Sequence, residues 1–218
     1  MTDSKTSKRK ILIVDDEPIA RLGLATLINH ESNLTLCGEA IGTAQGLEMT
    51  QKLKPALVIL DIAVEGDHGV EFVKAVQNKC EVLVFSLREE TLYAERCLLA
   101  GARGYVSKRE SLQTVKTAIQ AVLQGKVFVS ERVRERLYSR MLQYPATVKR
   151  TDICTLTDRE LEVFELLGQG ATTQETARKL KVSIKTVQGY HINIRDRLNL
   201  ANYNQLIRRA VHYVLEGQ

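Results

Sequence analysis

The sequence predicts an α/β fold, a five-stranded doubly wound parallel sheet, with a second, smaller all-α domain behind it. Three observations predict it. Five short apolar runs alternate with helical patterns over residues 10–124, as successive βα units require. Each run is near-continuously apolar, as buried parallel strands should be. From Leu156 onward only short helical patterns remain.

The elements follow in order. Ile11 to Val14 is the first strand, and Pro18 to His30 the first helix, with Ile19, Leu22, Ala25, Leu27 and Ile28 near helical spacing. Leu34 to Ala40 is the second strand and Gly42 to Leu53 the second helix. Leu57 to Leu60 forms the third strand and leads into Asp61; Val70, Phe72, Val73 and Val76 mark the third helix. The fourth strand, Val82 to Phe85, ends at Ser86 and is followed by a helix from Glu90 to Ala100. Gly104 to Val106 is the fifth strand, and Glu110 to Leu123 the fifth helix, closed by Gly125. Right-handed crossovers join the strands.

Ser130 to Tyr144 reads as a connecting helix rich in arginine (Arg132, Arg134, Arg136, Arg140), ended by Pro145. A flexible linker over residues 146–155, carrying Lys149 and Arg150, follows it. The last helices are Thr157 to Leu167, Thr173 to Leu180, Ile184 to Leu198 and Tyr203 to Leu215. The expected domains are therefore 8–125, a connector over 126–155, and 156–218.

Composition narrows the function classes. With 44% apolar and 26% charged residues the chain is ordinary globular protein, not a disordered one. No apolar stretch approaches the roughly 18 residues of a spanning helix, and the polar, basic Met1 to Lys10 has no apolar signal core behind it. A cytoplasmic protein without a membrane partner is expected. Cys37, Cys80, Cys97 and Cys154 are far apart, without a C-x-x-C pair or clustered histidines, so they are read as buried or incidental thiols. The net charge is +5, and the basic surplus lies in residues 125–218 while the first domain is close to balance. A neutral control module joined to one that meets a polyanion fits that asymmetry.

Chemistry gathers at the strand ends. Ligands of an open parallel sheet collect in the crevice beyond the carboxyl ends of its strands. Asp15, Asp16, Asp61, Ser86 and Lys108 each follow or end an apolar run, so they converge on one pocket. Three close carboxylates repel and raise one another's pKa unless a cation joins them, and an all-oxygen site suits octahedral Mg²⁺. Such a metal would also polarise a phosphoryl donor and stabilise charge in transfer to a carboxylate nucleophile. Asp61, central at the end of the third strand, is the expected nucleophile. Lys108 would neutralise one phosphoryl oxygen, and the Ser86 hydroxyl would donate to another.

Residues 10–124 resemble a response-regulator receiver domain. The resemblance rests on Val14-Asp15-Asp16-Glu17-Pro18, Leu60-Asp61, Phe85-Ser86 and Gly101-Ala102-Arg103-Gly104-Tyr105-Val106-Ser107-Lys108. It implies a flavodoxin-like sheet, phosphorylation of Asp61 by a histidine kinase or phosphotransfer protein, and Tyr105 as the mobile switch aromatic. The metal would rest on Asp15, Asp16, Asp61 and the backbone carbonyl of Ala63. Receivers usually carry Met-Pro a few residues after the acceptor; here Val64-Glu65 stands in that place, so the loop should be looser and more acidic. The switch would be a population shift. Turning a 1:99 equilibrium into 99:1 takes about 5.5 kcal/mol, within reach of charge-assisted hydrogen bonds.

Residues 156–217 resemble the LuxR-type (NarL/FixJ) helix-turn-helix. The signature runs from Leu156-Thr157-Asp158-Arg159-Glu160-Leu161-Glu162-Val163 through Leu166-Leu167-Gly168-Gln169-Gly170 to Val182-Ser183-Ile184-Lys185-Thr186-Val187, with Asn193-Ile194 and Arg197-Leu198. Thr157 is expected to cap the first helix with Glu160 in a capping box, Thr173 the second and Ser183 the third. Val187, Ile194 and Leu198 would anchor the third helix. On its opposite face Lys185, Gln188, Gly189 and Ile192 form the expected base-reading set in the major groove. Thr186, Arg195, Arg178, Lys179 and Lys181 would meet phosphates. Leu206, Ala210, Val211 and Tyr213 of the fourth helix are expected in packing and a dimer surface. The family commonly has histidine where Tyr190 stands, followed by a residue other than His191.

The expected protein is thus a transcription regulator, not an enzyme in the usual sense, that binds double-stranded DNA as a homodimer. Two alternatives stay open. One is a receiver-like regulator indifferent to phosphate. The other is a magnesium-dependent phosphotransferase with an aspartyl intermediate, although the second acid such enzymes place two residues after the nucleophile is Ala63 here.

Overall fold

The computed structural model describes residues 8–64, 69–142 and 153–216. Chain contacts divide it into two compact units, Met1–Gln143 and Tyr144–Gln218. Linker residues Lys149 and Arg150, Pro145, and Glu65 and Asp67 of the acidic loop lie outside the described residues.

In the first unit β1 (Arg9–Val14), β2 (Leu34–Ala40), β3 (Leu57–Leu60), β4 (Glu81–Ser86) and β5 (Gly104–Ser107) form one parallel sheet in the order β2-β1-β3-β4-β5. The order reverses at β1, so the crevice between β1 and β3 is the topological switch point. Helices α1 (Pro18–His30), α2 (Thr43–Leu53), α3 (Gly69–Val76), α4 (Glu90–Ala100) and α5 (Leu112–Leu123) cross between the strands. α1 and α5 share one face: Leu24, Ile28, Val115, Ala118, Ile119 and Val122 bury against Ile11, Ile13, Leu57, Ile59 and Leu83. On the other face Phe72 of α3 and Val14 crowd Gly46 of α2, where a Cβ would lie 2.9 Å from Val14.

The expected boundaries shift where local chemistry decides them. α5 begins at Leu112 instead of Glu110, because Ser111 caps it by accepting from the Thr114 N–H at 3.1 Å. β5 runs one residue past Val106 because the Lys108 N–H still donates to the Ser86 carbonyl at 3.0 Å. The helix expected in the connector, α6 (Glu131–Leu142), packs against α4 inside the first unit.

The second unit holds a short 3₁₀ turn (Ile153–Thr155), then α7 (Asp158–Gly168), α8 (Thr173–Lys179), α9 (Ile184–Arg197) and α10 (Tyr203–Glu216). Thr157 and Glu160 close a complete capping box on α7, and Ser183 caps α9. For α8 the expectation needs correcting. The cap is Thr172, not Thr173: its hydroxyl accepts from the Glu175 N–H at 3.2 Å, and its own N–H donates to the Glu175 carboxylate at 2.8 Å. The reciprocal pair of a capping box needs its acid three residues on, and Glu175 stands three after Thr172. That backbone bond, with the Thr172 hydroxyl, holds the Glu175 carboxyl below its ordinary range.

α7 and α10 form the core of this unit. Leu161, Val163, Phe164, Leu206 and Ala210 are fully buried, and the Phe164 and Tyr213 rings lie 5.6 Å apart. Gly168 lets the pair close, since a Cβ there would fall 2.3 Å from the Ala210 carbonyl oxygen. Gly168→Ala is therefore expected to lower the stability of the helical unit by about 1–3 kcal/mol, the range for overpacking. Urea unfolding of the full chain, followed by helix content, measures it.

Candidate functional sites: the acidic pocket and the third-helix face

Asp15, Asp61 and Lys108 are held because the hydrogen-bond ladder of each strand runs one residue past its end, while Ser86 is the last residue of β4. The Asp15 N–H donates to the Ala40 carbonyl at 3.0 Å and the Asp61 N–H to the Val14 carbonyl at 2.8 Å. Backbone pairing thus places the side chains before any side-chain contact forms. The five expected residues do come together. Lys108 Nζ lies 2.7 Å from Asp61 Oδ2 and 2.9 Å from Asp15 Oδ2, while Ser86 Oγ donates to Asp61 Oδ1 at 2.7 Å. The Ala63 N–H also donates to Asp61 Oδ1, at 2.8 Å. Asp15, Asp61 and Ser86 are buried; Asp16 is exposed at the rim.

Glu17 joins them, a contact that reading the sequence missed. Its Oε2 lies 2.9 Å from Lys108 Nζ. Glu17 precedes α1 without capping it, so its side chain is free to turn to the lysine. The signal was its place in the acidic run Asp15-Asp16-Glu17. Burial opposes the Lys108 charge, but hydrogen bonds to Asp61, Asp15 and Glu17 outweigh it and raise its pKa above the ordinary lysine value. Burial likewise raises the Asp15 carboxyl above its ordinary value, only partly offset by Lys108.

The donor set fits a divalent ion. Oxygens of Asp15, Asp16 and Asp61 lie within 4.8 Å of one another, all of them the hard ligands that Mg²⁺ prefers. Asp15 Oδ2 is buried and, despite its nearness to Lys108, accepts no well-directed hydrogen bond. One lysine does not balance these carboxylates.

Tyr105 is 1% exposed, and its hydroxyl donates to the Arg88 carbonyl at 2.9 Å. Burial holds its phenol well above the ordinary tyrosine range, so it acts as a neutral donor. Cys37, Cys80 and Cys97 are free thiols, and burial pushes Cys80 up to about 11.

In the second unit α9 divides as its sequence pattern requires. Val187, Ile194 and Leu198 are buried; Lys185, Thr186, Gln188 and Ile192 are exposed, with Arg195 partly so. Arg178, Lys179 and Lys181 are also exposed. A Cβ at Gly189 would meet nothing within 4 Å, so packing inside the unit does not require glycine there. Arg197, itself still exposed, pairs with the buried Glu160 at 3.0 Å. Gln188, Ile192 and Arg195 edge a shallow concavity of about 340 Å³ shared with Thr173, His191 and Tyr203. His191 is the residue missed here. It is buried, with its ring 5.3 Å from that of Tyr203. In α10, Leu206 and Ala210 are interior, while Val211 is 36% exposed.

Two family models match these two units. Residues 11–120 match the response regulator receiver domain, and residues 154–210 the bacterial regulatory proteins of the luxR family. The chain belongs to the LuxR-type response regulators. This regulator is 31% identical to the transcriptional activator protein ExaE of Pseudomonas putida, over 92% of its own chain and 95% of that protein. It is 28% identical to the nitrate/nitrite response regulator NarL of Escherichia coli K12, covering 92% and 93%. RcsB of Salmonella enterica serovar Typhimurium, solved bound to the rprA promoter, shares the fold: the TM-score is 0.66 at 20% identity, over 93% of this regulator and 98% of that chain. No helix among the regulator's described residues is long and apolar enough to cross a membrane.

Burial holds the His191 pKa of the regulator below the ordinary value of 6.5. Between that lowered value and 6.5 the unfolded chain binds a proton that the folded chain refuses, so stability rises with pH across this window. Unfolding of the helical unit followed from pH 7 downward should show stability lost below the ordinary histidine value. His191→Gln should flatten that slope.

Proposed function

We propose that the protein is a cytoplasmic transcription regulator whose Asp61 accepts a phosphoryl group from a histidine kinase or phosphotransfer protein, and whose helix α9 reads double-stranded DNA. The observation that carries the first half is the convergence of Lys108 Nζ and Ser86 Oγ on the two oxygens of Asp61, at 2.7 Å each. A nucleophilic carboxylate with a cation on one oxygen and a hydroxyl on the other suits phosphoryl transfer, which depends on positioning and on neutralising spread charge.

In the transfer an Asp61 oxygen forms the new P–O bond as the P–N bond to the donor histidine breaks, and its electron pair leaves with the imidazole. Lys108 then follows the phosphoryl oxygens, a charge-assisted contact. Ser86 donates to another of them. Mg²⁺ held by Asp15, Asp16, Asp61 and the Ala63 carbonyl would relieve repulsion among the acids and polarise the donor. The phosphoryl group taken from the donor ends on Asp61 of the protein's own chain, so in this reading the pocket's catalysis is limited to the protein's own phosphorylation and the protein is a regulator, not an enzyme in the usual sense. Dimerisation of the phosphorylated form would place two α9 helices on successive half-sites.

For the DNA half, Gly189 carries most weight. Glycine costs roughly 1 kcal/mol in a helix interior, and nothing inside the unit requires it. Close approach to DNA between Lys185, Gln188 and Ile192 gives it a reason. Arg195, Thr186, Arg178, Lys179 and Lys181 would position the unit on phosphates.

Full-length protein incubated with Mg²⁺ and acetyl phosphate should gain one acid-labile phosphoryl group. Asp61→Asn or chelation of the metal should abolish it; an unchanged gain in Asp61→Asn would remove the phosphoacceptor assignment. Genomic fragments selected by the protein should share a sequence, and Arg195→Ala should lower the salt slope of binding by about one unit. Gly189→Ala should stabilise the helical unit by roughly 1 kcal/mol while weakening specific binding. Stabilisation with unchanged binding would contradict the assigned DNA face.

A further inference from the structure

The concavity beside the outer face of α9 contains a polar side chain without a partner. His191 is 8% exposed, and among the described residues its ring makes no hydrogen bond. The Tyr203 ring packs against it at 48°, which covers the imidazole but offers its nitrogens nothing. A buried polar group left unbonded costs free energy, and a native fold that keeps one calls for a reason. His191 lines the concavity, so a group entering there from outside can reach it.

The rest of the lining favours an anion. Arg195, one turn after His191, Thr173, Gln188 and Tyr203 supply a cation and neutral polar groups, and no lining residue is acidic. Tyr203 opens the 14-residue α10, whose start is fixed by Asn202 and Gln205: the Gln205 N–H donates to Asn202 Oδ1 at 3.0 Å and the Ala201 N–H to Gln205 Oε1 at 2.8 Å. Such a helix start carries partial positive charge.

The other charged groups of the packed helices are engaged elsewhere or face solvent. On α7, Glu160 pairs with Arg197, and Glu165 accepts from the Tyr213 hydroxyl; on α8, Glu175 is held by Thr172. Arg178 and Lys179 of α8, Lys185 of α9, and Arg208, Arg209 and His212 of α10 are exposed and do not line the concavity. Asp196 stands 3.9 Å from Arg195 and is 68% exposed, too loose a pair to neutralise it.

We propose that the concavity seats a phosphodiester of the DNA backbone, its sugar against Ile192 and the Tyr203 ring, and that His191 takes a proton from solvent to donate to that phosphate beside Arg195. The proposal rests on the reading of α9 as the DNA-facing helix. At about 340 Å³ the concavity has room for a sugar beside the phosphate. A phosphate oxygen next to the imidazole favours its charged form and receives a charge-assisted hydrogen bond. In the free protein burial disfavours that form, so the proton arrives with the DNA. Affinity therefore rises as pH falls through the bound value, while folding stability falls over the same range. A histidine that serves only packing would give the opposite sign, since acid would loosen the unit and weaken binding.

The affinity of the full chain for a selected genomic fragment, measured at fixed salt at pH 8, 7 and 6, tests this. Wild-type affinity should rise about fivefold from pH 8 to pH 6, within the roughly tenfold per pH unit that one proton allows. His191→Gln should bind with that rise lost. Calorimetry of the wild-type complex at pH 7, in two buffers of different ionisation enthalpy, should show protons taken up on binding, a readout that needs no variant. Selective binding with no proton uptake, or with affinity unchanged or falling toward pH 6, would overturn the phosphate contact of His191 and leave the reading of α9 intact. His191→Gln with the wild-type pH response would overturn it equally. Absence of any sequence-selective binding would overturn both.

Discussion

Lys108 Nζ lies within 3.1 Å of carboxylate oxygens from Asp15, Glu17 and Asp61, and the rest of the first unit is arranged so that it can. The lysine arrives at the end of the last strand, 93 residues after Asp15 and 91 after Glu17. Its placement needs β5 paired to β4, β4 to β3 and β3 to β1 in unbroken parallel register. A slip of one residue in any pair would turn the strand-end side chains away. The buried apolar strands therefore set the geometry, and the charges follow at cost. Asp15, raised by burial, is in an environment that stability alone would not choose. The proposed chemistry with a phosphoryl group and a divalent ion would give that cost a reason.

The second unit has the opposite logic. Its interior is closed by a buried apolar set, with Glu160 held at the edge by Arg197, which leaves the outer face of α9 with no structural duty. Lys185, Gln188, Gly189 and Ile192 are unconstrained from within, and their identities are therefore available for recognition. The two units join chemistry that happens at one aspartate to contacts made elsewhere. α6, packed on α4 and preceded by Ser130, which donates to Glu90 at the start of α4, belongs to the unit that carries the aspartate.

Much of this was legible in the sequence because the signals are local or periodic. Five apolar runs, Pro18 at the head of α1 and the Thr157–Glu160 box each specify their element within a few residues. The pocket was legible for a different reason: in a parallel sheet all strand ends share one edge, so Asp15, Asp61, Ser86 and Lys108 converge whatever the helices do. The choice of Thr172 over Thr173 was legible as well, in the three-residue spacing from Thr172 to Glu175, a signal that the reading of Thr173 as the cap passed over. Glu17, His191 and α6 were missed in their roles for a common cause. Their partners (Lys108, Tyr203 and Glu90) lie far along the chain or on another element, and no periodicity reports such meetings.

The claim that unites both units is that chemistry at Asp61 governs occupancy of DNA. Its most direct measurement is the affinity of the full chain for a selected genomic fragment at one fixed salt concentration, with and without acetyl phosphate and Mg²⁺, beside Asp61→Asn. The account predicts tighter binding of the wild-type chain after phosphorylation and no response in the variant. Equal affinity in phosphorylated and unphosphorylated wild-type protein would contradict it.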